Sequence, residues 1–144
     1  MTTQKPKPED MAVIAKTLGL AAGEAQRTIP SLTVCGYPDG AAVIREGETG
    51  SDTFVVLKGE VSVRSTRWLF FQKEVARLKS GDIFGEIGFL VSTARSASVV
   101  AAGPCEVFRL AAKEFRDHLE RHPDLRTRIE EMARQRLYSL SAGA

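Results

Sequence analysis

The sequence predicts a mainly β domain, a barrel of seven or eight short strands with helices before and after it. Three observations carry that expectation. Between Ser31 and Leu110 turn-forming clusters ("GYPDG", "REGETGSD", "KGE", "KSGD", "AAGP") recur every ~8–12 residues, and the runs between them are rich in Val, Ile, Phe and Leu. In "EVSVRS", Val61 and Val63 alternate with Ser62 and Arg64, the period-two pattern of a half-buried strand. Outside this span apolar positions recur at steps of three and four, the helical period.

In chain order, residues 1–7 are polar and interrupted by Pro6, which reads as a disordered, frayed tail. Residues 8–30 read as a helical segment. In "PEDMAVIAKTLG" Pro8 suits a first turn, Glu9 and Asp10 suit the positive helix end, and Gly19 suits the stop. A second short helix is expected from Gly23 to Thr28, ended by Pro30. Residues 31–110 supply the strands "LTVCGY", "AAVI", "TFVVL", "VSVRS", "WLFFQKEVARL", "SASVVA" and "CEVFRL". Residues 111–144 return to helix, first in "AAKEFRDHLERH" and then in "PDLRTRIEEMARQRLYSL", where Pro123 is a natural starter. Leu125, Ile129, Met132, Ala133, Arg136 and Leu140 fall on one inward stripe of that last helix. No fixed-period repeat argues for a solenoid.

A chain of 144 residues suffices for one domain with its own core. Twenty Lys and Arg against eighteen Asp and Glu leave a charge of +2, too balanced for a general attraction to nucleic acid or anionic lipid. Cys35 and Cys105 are too few for a disulfide framework and sit in apolar, strand-like surroundings. "MTTQKPKPED" has no apolar leader region, and no apolar run approaches the ~18 residues of a membrane span, so the chain reads as soluble and cytoplasmic. His118 and His122 stand four apart on a helix, but without a third ligand they read as a solvated face and not as a metal grip. Arg126, Arg128, Arg134 and Arg136 are interleaved with Asp124, Glu130 and Glu131, which argues for a mostly solvated face, and Glu130 and Arg134 have ion-pair spacing. Ser92, Ser96 and Ser98 lack a base at any recognisable spacing, and no enzyme is expected.

The stretch "FGEIGFLVSTARSASVV", residues 84–100, sets Glu86 and Arg95 in an otherwise small or apolar run. If "GEIGFL" forms one helical turn, the free N–H groups near Gly85 favour an anionic oxygen, and Gly85 leaves room for its approach. Arg95 adds a planar fork of donors and Ser96 a hydroxyl. Glu86 would repel the same anion, so it suits a hydroxyl-bearing part of the ligand. Phosphate plus hydroxyl means a sugar phosphate or nucleotide, with Val63, Ala76 and Leu78 placed to receive the faces of a base. The competing reading of Glu86 and Arg95 is a structural ion pair across a loop.

The stretch resembles the phosphate-binding cassette of cyclic nucleotide-binding domains, here Phe84-Gly85-Glu86 followed by Arg95-Ser96-Ala97-Ser98-Val99. "GETGSDTFVVLKGEVSV" and "LKSGDIFGE" are similar to the family's glycine-punctuated first half and its lead into the cassette, 81–99, so that the resemblance covers roughly residues 32–140. It implies a β-roll or jelly-roll barrel (a double-stranded β-helix) with N-terminal helices and two C-terminal helices. It implies that Arg95 binds the cyclic phosphate with Gly85, Ser96 and Ala97, that Glu86 binds the ribose 2′-hydroxyl, and that Val63, Ala76 and Leu78 line the base. On the last helix it marks Arg136 as the candidate lid over the purine, with Arg134 and Met132 as rivals.

The sequence departs from the family pattern at Ala94, where Pro is common, and at Gly88-Phe89, where a Leu pair is common. A glycine there weakens a short helix by ~1 kcal/mol relative to alanine. The resemblance implies a regulatory module whose ligand is cAMP, favoured, or cGMP, with no metal or other cofactor, read by a protein partner or in a dimer through movement of the last helix. The helix-turn-helix of related transcription regulators is not expected, since the chain stops shortly after Leu140. The alternative is an interaction domain of the same fold that binds no nucleotide and uses the consecutive Trp68, Leu69, Phe70 and Phe71, which a strand cannot all turn inward.

Overall fold

The computed structural model describes residues 1–21, 23–68, 71–86 and 94–142. Among them lie seven strands: β1 (Thr2–Gln4), β2 (Thr33–Tyr37), β3 (Ala42–Ile44), β4 (Thr53–Trp68), β5 (Phe71–Lys79), β6 (Ile83–Phe84) and β7 (Ser98–Leu110). They form one antiparallel sheet ordered β1-β2-β7-β4-β5, with β3 joined to β7 and β6 to β4. A 3-10 turn (Pro8–Asp10) leads into α1 (Met11–Leu18) and α2 (Ala25–Thr28), and α3 (Ala112–Arg121) and α4 (Pro123–Ala142) follow the strands.

The strands are apolar at consecutive positions because the sheet is covered on both faces. In β4, Val55 and Leu57 face the helices and pack with Ile14, Leu18, Phe115 and Leu119, whereas Phe54 and Val56 face the inside of the roll with Cys35, Phe84 and Val99. β7 divides in the same way, Phe108 and Leu110 outward to the helices, Cys105 and Val107 inward. One sheet therefore separates two apolar cores. The stripe of α4 joins the helical one through Leu125 and Ile129, with Met132 partly buried beside them, while the Leu140 side chain lies outside the described residues. Cys35 and Cys105 are free and buried.

Three features differ from the sequence expectation. Residues 1–7 are not simply a frayed tail, since Thr2–Gln4 pair with β2 from Thr2↔Gly36 to Gln4↔Val34. An edge strand held by backbone hydrogen bonds needs no apolar pattern, and β1 is exposed throughout. Secondly, "KGE" and "AAGP" are bends within strands. The pairing moves from Lys58↔Glu106 to Glu60↔Ala102, so β4 and β7 bend together without ending. Gly59 makes this bend, with φ of 79° and a Cβ that would stand 2.5 Å from the Pro104 carbonyl oxygen. Thirdly, His118 is not on a solvated face but fully buried, because α3 turns that side toward α1.

The β4–β5 ladder reaches Trp68↔Phe71. The aromatic run Trp68–Phe71 and the short helix expected after Gly85 involve positions that lie outside the described residues or their described side chains.

Candidate ligand site

A cavity of about 180 Å³ opens from the inner core of the roll. All nine residues singled out from the sequence line it: Val63, Ala76, Leu78, Gly85, Glu86, Arg95, Ser96, Ala97 and Arg136. The bend of β4 and its pairing with β5 bring Val63 opposite Ala76 and Val61 opposite Leu78, which builds an apolar wall. Arg95 and Glu86 come from the segments before β7 and after β6, and Arg136 comes from α4.

Arg95 is fixed before any ligand arrives. Its N–H donates to the Glu48 carbonyl at 2.7 Å, and its own carbonyl accepts from Gly47 N–H at 2.9 Å. Its guanidinium donates through Nη1 to the Gly85 carbonyl at 3.0 Å and through Nη2 to the Asp52 carbonyl at 2.9 Å. The other guanidinium N–H groups have no partner among the described residues. Burial pushes the Arg95 pKa down, and the carboxylates of Asp52, Glu86 and Glu48 oppose that shift. Gly85 allows this approach: its φ is 84°, and a Cβ there would lie 3.0 Å from the Asp52 carbonyl oxygen and 3.4 Å from Arg95 Nη1. Phe54 and Phe84 stack at 5.1 Å between ring centres and brace the floor.

Glu86 is only 1% exposed. Arg136 Nη1 donates to Glu86 Oε1 and to the Ile83 carbonyl, each at 2.6 Å, while Glu86 Oε2 is buried with no hydrogen-bond partner among the described residues. Of the three candidates on the last helix, Arg136 is therefore the one engaged at the site. Arg134 pairs with Glu130 and Glu131 on the outer face, and Met132 packs toward the helical core. The Arg136 contact falls on the carboxylate, not simply over the apolar wall.

Ile44, Val75, Phe84 and Val99 also line the cavity, beyond the contacts the sequence predicts. For Val99 a signal existed in the Arg95–Val99 motif, whereas Ile44 arrives through the pairing of β3 with β7 and carries no local mark. Asp52 carries no mark in the sequence because it acts on Arg95 through a backbone carbonyl. Its carboxylate accepts from Arg109 Nε at 2.7 Å and from Ala112 N–H at 3.2 Å, at the start of α3. The hydrogen bond and charge of Asp52 hold the Arg109 pKa up.

An antiparallel roll with flanking helices and a cavity that sets a buried carboxylate near a guanidinium defines the β-roll class of domain. The family model described as cyclic nucleotide-binding domain matches residues 35–122. The cAMP-dependent protein kinase regulatory subunit of Mycosarcoma maydis is 38% identical over 91 residues, 63% of this chain and 17% of that protein. The cAMP-activated global transcriptional regulator of Pasteurella multocida is 30% identical over 106 residues, 73% of this chain and 51% of that protein. The aligned segments thus span between 17% and 51% of these relatives. Among solved structures, the Thermus thermophilus catabolite activator protein has a TM-score of 0.73 at 26% identity, over 88% of this chain and 60% of that one. The regulatory domain of Toxoplasma gondii PKA, co-crystallised with cAMP, has a TM-score of 0.72 at 25% identity, over 87% of this chain and 48% of that one. The chain belongs to the cyclic nucleotide-binding domain family. No helix among the described residues is long and apolar enough to cross a membrane.

Proposed function

We propose that this domain binds a cyclic nucleotide, cAMP in preference to cGMP, and signals its occupancy through α4 to a protein partner or a second copy of the chain in the cytoplasm. The observation that carries the reading is Oε2 of Glu86, without a partner among the described residues and buried in the same cavity as Arg95. A buried carboxylate oxygen without a donor suits a ligand hydroxyl, and a half-buried guanidinium with free N–H groups suits a phosphate. Glu86 thus receives the ribose 2′-hydroxyl, and Arg95 with Gly85, Ser96 and Ala97 receives the cyclic phosphate. Val63, Ala76 and Leu78 receive the base. The preference for cAMP is supported by the kinase and transcription relatives, whose names specify it.

Two connections support transmission. Arg136 ties α4 to Glu86, so a hydroxyl donating to that carboxylate changes what α4 is held by. Asp52 ties the Arg95 guanidinium, through its carbonyl, to Arg109 and the start of α3, through its carboxylate. The domain is a sensor without catalysis of its own, and it needs no metal.

Calorimetric titration with cAMP and cGMP tests the reading. Both are expected to bind, cAMP more tightly, and Arg95→Ala is expected to cost ~1.5–3 kcal/mol, roughly ten- to a hundredfold in affinity. Failure of both nucleotides to bind at about 1 mM would remove the proposal, and an unchanged affinity in the variant would remove Arg95 from the phosphate.

A further inference from the structure

A second cavity, about 560 Å³, lies between α1 and α4 below the turn that joins β5 to β6. Its floor is apolar, formed chiefly by Val13, Ile83, Ile129 and Met132. Its rim is basic, with exposed Lys16 on α1 and exposed Arg128 on α4. The neighbouring arginines of α4 are neutralised within the helix, Arg126 by Glu130 and Arg134 by Glu130 and Glu131. Lys16 and Arg128 have no carboxylate at ion-pair distance among the described residues. The one carboxylate of the lining, Asp82, accepts from Lys79 N–H through Oδ2 at 2.9 Å and so closes its own turn. Thr17 Oγ1 donates to the Gly81 carbonyl at 3.0 Å and fastens α1 to that turn, which preforms one wall.

We infer that this groove docks an amphipathic segment of a protein partner, apolar on one face and carboxylate-bearing along its edges. Two helices flanking an apolar floor accept side chains spaced along one face of a third helix. The unpaired cations on opposite walls select carboxylates beside that face and speed their encounter. A bare polyanion would satisfy the cations but leave the apolar floor uncovered, which favours a protein segment over nucleic acid. Arg136 lines this groove as well as the ligand cavity. A partner carboxylate that reaches it draws on the same guanidinium that holds Glu86, so docking and nucleotide affinity become linked. That linkage rests on the proposed function, whereas the docking does not.

The test uses the whole chain without nucleotide and three fluorescent helical peptides of about 14 residues, roughly four turns. The peptides share a leucine stripe and differ only in carrying glutamate, glutamine or lysine beside it. The glutamate peptide is expected to bind best, with amide shifts confined to residues 13–17, 80–83 and 125–132. The double variant Lys16→Glu/Arg128→Glu, whose two sites are exposed, is expected to melt like the parent, lose roughly tenfold in affinity for the glutamate peptide and prefer the lysine peptide. Equal binding of the three peptides, no binding at about 1 mM, shifts elsewhere, or indifference to the charge reversal would each overturn the inference. Titrating cAMP with and without the glutamate peptide then reads the linkage separately.

Discussion

Glu86 and Arg136 form the most buried ion pair in the site, with side-chain exposures of 1% and 31%. The pair satisfies one carboxylate oxygen and leaves the other without a donor among the described residues. An unsatisfied buried acceptor costs ~1–3 kcal/mol, and a ligand hydroxyl that reaches it recovers part of that cost. A 2′-deoxy analogue is therefore expected to bind roughly tenfold or more weakly than its parent. Glu86→Ala is expected to erase most of that difference. Equal affinities of the two analogues for the intact protein, measured by calorimetry, would place the ribose elsewhere. That Glu86 would stand at a cavity was legible in the sequence, because an acid in an apolar run has few structural uses. The carbonyl of Asp52 was not legible, since every residue has one.

At the scale of elements, α4 is docked on the helical core by Leu125 and Ile129, which are 5% and 4% exposed, and Ala133 on the same helix is fully buried. Burying a leucine or isoleucine contributes ~1.5–3 kcal/mol, so the first half of the helix is anchored by packing. Its later part is tied at Arg136 through the site itself. Hydrogen exchange is thus expected to slow on nucleotide binding mainly around Arg136 and beyond, with smaller changes near Leu125. Identical protection of residues 123–142 with and without nucleotide would make α4 a fixed brace. The stripe was readable from its period, but the division into a packed half and a site-held half depends on which groups the sheet presents to it.

Across the whole molecule, α3 links the two ends of the chain, because His118 is buried against the end of α1. Among the described residues neither ring nitrogen has a partner at full hydrogen-bond geometry, and the His122 ring lies 4.2 Å away between centres. Burial first, then His122 and Arg121, push the His118 pKa below its ordinary value of 6.5, while the Leu18 backbone opposes them. The folded chain therefore holds His118 neutral where the unfolded chain begins to protonate. Its contribution to stability is complete above about pH 6.5 and is lost as pH falls below that toward the depressed value, at no more than ~1.4 kcal/mol per pH unit. Urea unfolding followed from about pH 7.5 to 5.5 is expected to show this fall, and His118→Phe to flatten it. A fall of equal slope in the variant would assign the acid sensitivity to other groups.

The sequence by itself determined the class of fold, most of the succession of helices and strands, and nine of the residues that line one cavity, because these follow from local period, turn chemistry and a short motif. It did not determine that β4 and β7 run through their glycines, that Thr2–Gln4 complete the sheet, or that His118 is buried. Those outcomes depend on which segment lies opposite: the Pro104 carbonyl beside Gly59, the backbone of β2 beside β1, and the end of α1 beside α3. The same holds for Arg136. Its place on the inward stripe was set by spacing along one helix, but its meeting with Glu86, 50 positions away in the chain, was decided only when α4 packed across the sheet.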